Sequence, residues 1–347
     1  MENLKEKLIV TESPHIRDGN TTGGIMLDVI IALMPALIAG VFVFGYRAAA
    51  LAVVCVGACV FFEWAWCKIV KKQVSIGDFS AAVTGLLLAM NLPVTMPFWM
   101  AIVGSLFAIV IVKQFFGGIG HNFMNPALAA RAFLLTSWAQ AMTTWVQPFT
   151  KVAFFSNADA VSHATPLAQL AQNVDTVSQA TSASDAAVAE LPSYLDLFLG
   201  TTGGCIGEVS ALAILIGAVY LICKRVISIK IPAAYILTVA ALTFVFGGND
   251  GLFSGDALYH VLSGGLMLGA FFMATDYVTT PYTPNGQIVF GIGCGILTAV
   301  IRLWGGYPEG VSYSILLMNV ATPLIDKYTA PKRFGVVKEK KGDKKNA

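Results

Sequence analysis

The sequence predicts an all-α polytopic membrane protein of about ten transmembrane helices, arranged as two inverted five-helix repeats with broken helices. Three observations predict it. Of 347 residues, 56% are hydrophobic and only 12% are charged, about half the charge usual in soluble chains, and mean hydropathy is +0.72. Apolar segments of spanning length recur, separated by polar or Gly- and Pro-containing stretches. Basic residues collect on alternate connections. The net charge of +2 gives no basis for nucleic-acid binding.

Residues 1–23 form a mostly polar cytoplasmic segment, broken only by Leu8-Ile9-Val10, without the pattern of a cleavable signal peptide. The first membrane repeat, 24–142, has spans near 24–45, 47–67, 77–92, 97–116 and 125–142. The third and fifth are weak. Asn91-Leu92-Pro93 ends the third, and Asn125-Pro126 opens the fifth with proline in the first turn, where its missing N–H costs nothing. An extracytoplasmic loop occupies 143–202. The second membrane repeat, 203–326, has spans near 203–223, 231–247, 257–275, 287–304 and 310–326. The tail at 327–347 is basic and cytoplasmic, a solvated end drawn to the anionic headgroups of membrane lipid.

Lysine and arginine set the orientation. With the N-terminus inside, nineteen basic residues fall on the cytoplasmic side, Lys113 and Arg131 among them, and only Arg47, Lys151 and Arg302 fall outside. Both termini are then cytoplasmic and the 143–202 loop faces outward. The halves also echo each other. Lys113-Gln114-Phe115-Phe116-Gly117-Gly118 resembles Arg302-Leu303-Trp304-Gly305-Gly306, and Gly85 to Asn91 loosely matches Gly265 to Asp276. Span four thus corresponds to span nine. A five-span offset is odd, so the repeats have opposite topology, an arrangement that places binding sites at the repeat interface.

The six cysteines form no CxxC pair and no iron–sulfur spacing, and Cys55 and Cys59, four apart, read as packing residues. His15, His121, His163 and His260 are scattered, so no metal site is expected. Ionisable residues within spans are costly and mark candidate sites. Glu63, Asp28 and Asp276 all lie toward the cytoplasmic side, the last two close enough to reach the interface.

The loop at 143–202 holds Asp159-Ala160-Val161-Ser162-His163-Ala164-Thr165. By composition this is an ordinary hydroxyl-bearing loop. It resembles the Asp-x-x-Ser/Thr-x-Ala-Thr sequence on which a flavin transferase esterifies FMN to threonine in membrane redox pumps. His163 stands where that family more often has a small residue. Ala164 leaves room beside the acceptor, and Pro166 stiffens the chain after it. The likeness extends over Gly117 to Ala129 with Arg131-Ala132-Phe133, over Met273-Ala274-Thr275-Asp276, over Gly305 to Gly310, and over Leu316-Leu317-Met318-Asn319. Together these stretches are similar to the family of the Rnf ion-translocating ferredoxin:NAD oxidoreductase D subunits and the sodium-translocating NADH:quinone oxidoreductase B subunits. The short extension before Ser13-Pro14-His15 favours the Rnf branch.

The resemblance implies a membrane flavoprotein subunit of a prokaryotic cytoplasmic membrane. It would carry FMN on Thr165, flanked by Ser162, His163 and Ala164, and a second flavin, non-covalent riboflavin, toward the cytoplasmic side. Asn122 and Asn125 are the candidates to hold riboflavin, since an amide both donates and accepts and Gly118 ahead of them permits close backbone approach; both asparagines equally suit a helix N-cap. Arg302 could face the phosphodiester or pair with Glu309. The chain lacks a nicotinamide fingerprint and cluster ligands, so the implied partners are the other Rnf subunits: a flavin-bearing outer-face subunit and iron–sulfur subunits, with the transferase needed for maturation. The competing reading is a solute or ion channel of urea- or ammonium-channel-like architecture, without redox function.

Overall fold

The computed structural model describes residues 21–72, 75–150, 164–179, 191–248, 251–305 and 309–331. Among these there are helices and no β-strands. Two long helices open the chain, α1 (Thr22–Phe44) and α2 (Tyr46–Ile69). Thr21 caps α1 by accepting from the Gly24 N–H, and Gly45, at φ 82°, makes the tight reversal into α2.

The next helix is half-length. The third span becomes α3 (Ser80–Met90), and residues 91–96 continue as buried irregular chain. An 11-residue helix rises only about 16 Å, half a bilayer core. α4 (Phe98–Leu106) then runs on as a π-helical segment, Phe107–Gln114. The fifth span is α5 (Pro126–Ser137) followed by the short α6 (Ala139–Met142). As the sequence suggests, Asn125 caps α5 and Pro126 takes its first turn.

Within the 143–202 connection lie α7 (Pro166–Gln179) and α8 (Tyr194–Leu199). Of the 203–223 span, only α9 (Ala211–Cys223) is helical; residues 203–210 are irregular and almost wholly buried. α10 (Lys230–Phe246) follows. The eighth span is interrupted: α11 (Ala257–Leu262) stops at Ser263-Gly264-Gly265, and α12 (Leu266–Leu268) winds directly into a second π-helical segment, Gly269–Met273. α13 (Pro284–Trp304) and α14 (Val311–Thr329) complete the chain.

α1, α2 and α13 are long and apolar enough to cross a membrane, and α3, α4 with its π segment, α9 and α10 are shorter apolar helices. α2 packs on α3 and α4, while α10 packs on α13 and α11. Between these groups α1 packs on α9 and α5 on α14. The α1–α9 contact is close because Gly217 has no side chain: a Cβ there would sit 1.9 Å from the Ala32 carbonyl oxygen. Large apolar side chains such as Phe42, Val53, Leu237 and Leu317 are exposed on the outward helix faces.

The two irregular stretches meet each other. The Ile206 N–H donates to the Leu92 carbonyl at 3.2 Å, the Gly207 N–H to the Met90 carbonyl at 2.8 Å, and the Cys205 thiol to the Asn91 carbonyl at 3.2 Å. Backbone that leaves a helix within the hydrophobic layer must find partners in protein, and here each break supplies them to the other.

Candidate functional site

Two groups of candidate residues lie at opposite ends of α9. Thr165 stands at the start of α7, where its hydroxyl accepts from the Ala168 N–H at 3.3 Å and its carbonyl from the Gln169 N–H at 2.9 Å. A threonine followed by proline suits this place: an oxygen to cap the free N–H groups, then a residue that has none. Ala164 lies beside it, its carbonyl accepting from the Gln169 side chain at 3.2 Å. Ser162 and His163 lie outside the described residues, as does Asp159.

Thr165 borders a small polar cavity of about 10 Å³, walled also by Thr202, Glu208, Ser263, Gly264 and Glu309. Arg131, from α5, is fixed at the edge of this group. Its guanidinium pairs with Glu309, donates to Ser312 and lies 3.9 Å from Glu208. Oε1 of Glu208 and Oγ of Ser263 are buried without a hydrogen-bond partner. Arg302 approaches from α13 and donates to the carbonyls of His260 and Ser263, the latter at 3.2 Å. It thus braces the interruption between α11 and α12, and Glu309 is taken by Arg131 instead.

At the other end, a cavity of about 100 Å³ lies between α1, α3, α5, α9 and the Gly269–Met273 segment. Asn122 borders it, and its Oδ1 is buried with no hydrogen-bond partner. Asn125 borders it too, but its amide is engaged. Oδ1 accepts from the Ala127 and Leu128 N–H groups at 3.0 and 3.3 Å, and Nδ2 donates to the Met273 carbonyl at 3.3 Å. Gly118 sits in the turn before them at φ 98°, a conformation that favours glycine; from this turn, Ile119 and Asn122 are the residues that reach the cavity.

A buried ionic network forms another wall. Lys113 donates to Glu63 at 2.8 Å and to Ser80 at 2.6 Å, and Gln114 donates to Glu63 at 2.8 Å. The π winding of Phe107–Gln114 is what aims Lys113 and Gln114, adjacent in sequence, at one carboxylate; such segments recur at functional sites. Phe271 and Phe272, from the other π segment, face the same cavity.

Sequence reasoning singled out Glu63 but counted Lys113 and Arg131 as cytoplasmic-side charge, and it overlooked Glu208. Lys113 ends an apolar run and Glu208 opens one, so the rule that flags ionisable residues inside spans covers both.

Residues 9–335 match the model of the NQR2, RnfD, RnfE family. The chain is 52% identical to the D subunit of the Na(+)-translocating ferredoxin:NAD(+) oxidoreductase complex of Acetobacterium woodii, over 96% of this chain and 97% of that protein. It is 46% identical to the D subunit of the proton-translocating ferredoxin:NAD(+) oxidoreductase complex of Clostridium ljungdahlii, over 95% and 97%. It is 39% identical to the D subunit of the ion-translocating oxidoreductase complex of Stutzerimonas stutzeri, over 90% and 91%. With most of its length matched and two relatives near half identity, the chain belongs to the NQR2, RnfD, RnfE family of multi-pass membrane proteins.

Proposed function

We propose that this chain is the D subunit of an ion-translocating ferredoxin:NAD oxidoreductase complex, with FMN esterified to Thr165 and a second, non-covalent flavin, riboflavin, in the cavity beside Asn122. The observation that carries the reading is the near-complete match to D subunits of such complexes in a chain that also bears Ser162-His163-Ala164-Thr165. Flavins accept and pass on electrons, and the protein supplies their position and surroundings.

The residues suit both groups. Thr165 offers a hydroxyl at a helix N-terminus, where a phosphoester is favoured by the helix dipole and by the N–H of Ala168. Asn122 offers an amide with an unused acceptor to the polar edge of a ring system, while Phe271 and Phe272 offer apolar faces. The two cavities are separated by α9, whose 13 residues span roughly 20 Å. That separation supports a relay from one side of the membrane to the other, in which Glu208 and Val209 border the first position and Leu221 and Val226 the second.

The ten-span, two-repeat reading is part of this proposal. It is supported by the packing: α1 lies against α9 and α5 against α14, first with sixth and fifth with tenth. Four buried basic residues, Arg47, Lys113, Arg131 and Arg302, contribute no aqueous charge. Without them the split of lysine and arginine by sequence position becomes seventeen to one. This favours cytoplasmic termini and an outer Thr165 loop. Ferredoxin and NAD chemistry, the iron–sulfur centres and an outer-face flavin then belong to the other Rnf subunits.

The test is in-gel flavin fluorescence of the denatured chain from a host that has the transferase. Fluorescence that survives denaturation and vanishes in Thr165→Ala supports the proposal. A wild-type chain without covalent flavin refutes it and leaves a solute pore as the better account.

A further inference from the structure

The larger cavity has two charged residues in its described lining, Lys113 and Asp276. Lys113 is already matched. Its side chain, 2% exposed, pairs at 2.8 Å with Glu63, 1% exposed, and its second bond, at 2.6 Å, goes to the Ser80 hydroxyl. That hydroxyl donates onward to Asp78 at 2.6 Å. The oxygen of Glu63 that receives Lys113 also accepts from Gln114 at 2.8 Å and from Ser75 at 3.1 Å. Three donors converge on one atom, so the carboxylate is held in place. Among the described residues Lys113 is its one ion-pair partner, and Asp276 has none. Asp276 accepts instead from the Thr279 hydroxyl at 3.1 Å.

This wall therefore holds one cation against the carboxyl groups of Glu63 and Asp276, with that of Asp78 on the far side of Ser80. An anion in the cavity finds a counter-ion only if Lys113 leaves Glu63, and stripping a buried carboxylate of its partner costs more than the pair contributes. Asp276 adds repulsion between like charges. An uncharged ligand meets neither penalty, and the Asn122 amide and the faces of Phe271 and Phe272 still serve it. Flavins exist in both kinds: the ring system with its ribityl chain is neutral, and a phosphate ester adds a charge of about −1.5 to −2.

Resting on the proposed flavin in this cavity, we propose that Glu63 selects the charge of that ligand. By holding Lys113 it leaves a phosphorylated flavin without a counter-ion, so the cavity takes riboflavin and rejects FMN. Asp276 reinforces the choice from the opposite wall. Glu63 acts through Lys113 and is a specificity-determining residue that need not touch the ligand.

The experiment uses the full-length chain, made without transferase so that Thr165 stays unmodified, and equilibrated with equal concentrations of riboflavin and FMN. Flavin released on denaturation is separated and counted. FMN is scored only where excess riboflavin displaces it, which keeps binding elsewhere out of the count. Wild type should retain riboflavin over FMN by at least about tenfold. Glu63→Gln, which frees the ammonium of Lys113, should narrow that ratio at least about tenfold. Glu63→Gln combined with Lys113→Met should prefer riboflavin as wild type does. Asp276→Asn, a near-isosteric change, should narrow the ratio severalfold, and with the wild-type ratio it carries the test if Glu63→Gln does not fold. Equal retention of the two flavins by wild type overturns the inference and leaves the flavin site standing. An FMN gain as large in the double variant as in Glu63→Gln overturns the role of Lys113. Retention of neither flavin by wild type removes the flavin reading, and this inference with it.

Discussion

Arg131 on α5 and Glu309 at the edge of α14 form a buried ion pair 178 residues apart in sequence. The pair closes the α5–α14 contact beneath the Thr165 cavity, and Ser312 and Glu208 share the same guanidinium. Charges removed from water persist only when matched, and taking one partner away costs more than the pair contributes. Arg131→Ala should therefore lower stability by about 3–5 kcal/mol. Unfolding in detergent, followed by circular dichroism, checks this; a loss below about 1 kcal/mol, the range of surface pairs, contradicts it.

The two asparagines beside the larger cavity should separate in their effects. Asn125→Ala removes an N-cap and a bond to Met273, and should cost stability by about 0.5–2 kcal/mol. Asn122→Leu should leave stability nearly unchanged but weaken binding of the proposed non-covalent flavin about 5- to 100-fold, the equivalent of one lost hydrogen bond from a buried group. Flavin released on denaturation, measured against protein, distinguishes them. Equal retention in wild type and Asn122→Leu would show that this amide does not hold the ligand.

Gly217→Val should disrupt the meeting of α1 and α9. The Ala32 carbonyl stands where the new side chain must go, and overpacking costs about 1–3 kcal/mol or more. The melting temperature of the purified chain reports it. Gly57→Val on α2 is the control, because nothing lies within 4 Å of a Cβ there.

One pH dependence is local. At the start of α8, Asp196 sits in a capping box with Ser193, whose hydroxyl donates to it at 2.7 Å; Thr201 donates at 2.8 Å. The Ser193 hydroxyl foremost, then Thr201, holds the Asp196 carboxyl below its ordinary value of 3.8. A lowered folded value means the carboxylate stabilises α8 at pH above 3.8, and the contribution is lost as pH falls through the lower folded value. Amide exchange in α8, corrected for intrinsic rate, should rise over that acid window in wild type and stay flat in Asp196→Asn. A wild-type profile as flat as the variant's would show that the box carries no such dependence.

The long helices were legible because length and apolarity suffice for them: α1, α2 and α13 stand where unbroken apolar runs stand. The start of α5 was legible because Asn125-Pro126 is local capping chemistry. The end of α3 was legible in Asn91-Leu92-Pro93, but not that the chain stays buried beyond it, with Leu92, Val94 and Met96 in irregular backbone. Nor were the π segments, because changing how a helix is wound leaves its composition alone. Thr165 was singled out by motif, but its burial was not, because residues packed against its segment come from α11 and the α11–α12 break, some 90 positions further along the chain. The partner of Arg302 was left open for the same reason. Arg302 lies seven residues from Glu309 in sequence, yet the carboxylate goes to Arg131 on another helix.

The paired breaks at Met90–Leu92 and Ile206–Gly207 carry a consequence for how the chain can change. The carbonyls of Met90, Asn91 and Leu92 take up the donors of Gly207, Cys205 and Ile206, so neither stretch can gain or lose a residue without disturbing the other. A one-residue insertion between Met90 and Leu92 would shift these carbonyls out of register and strand the donors of Cys205, Ile206 and Gly207 away from water. The two halves of the protein are therefore bound to vary together at this seam, much as mating threads must share a pitch.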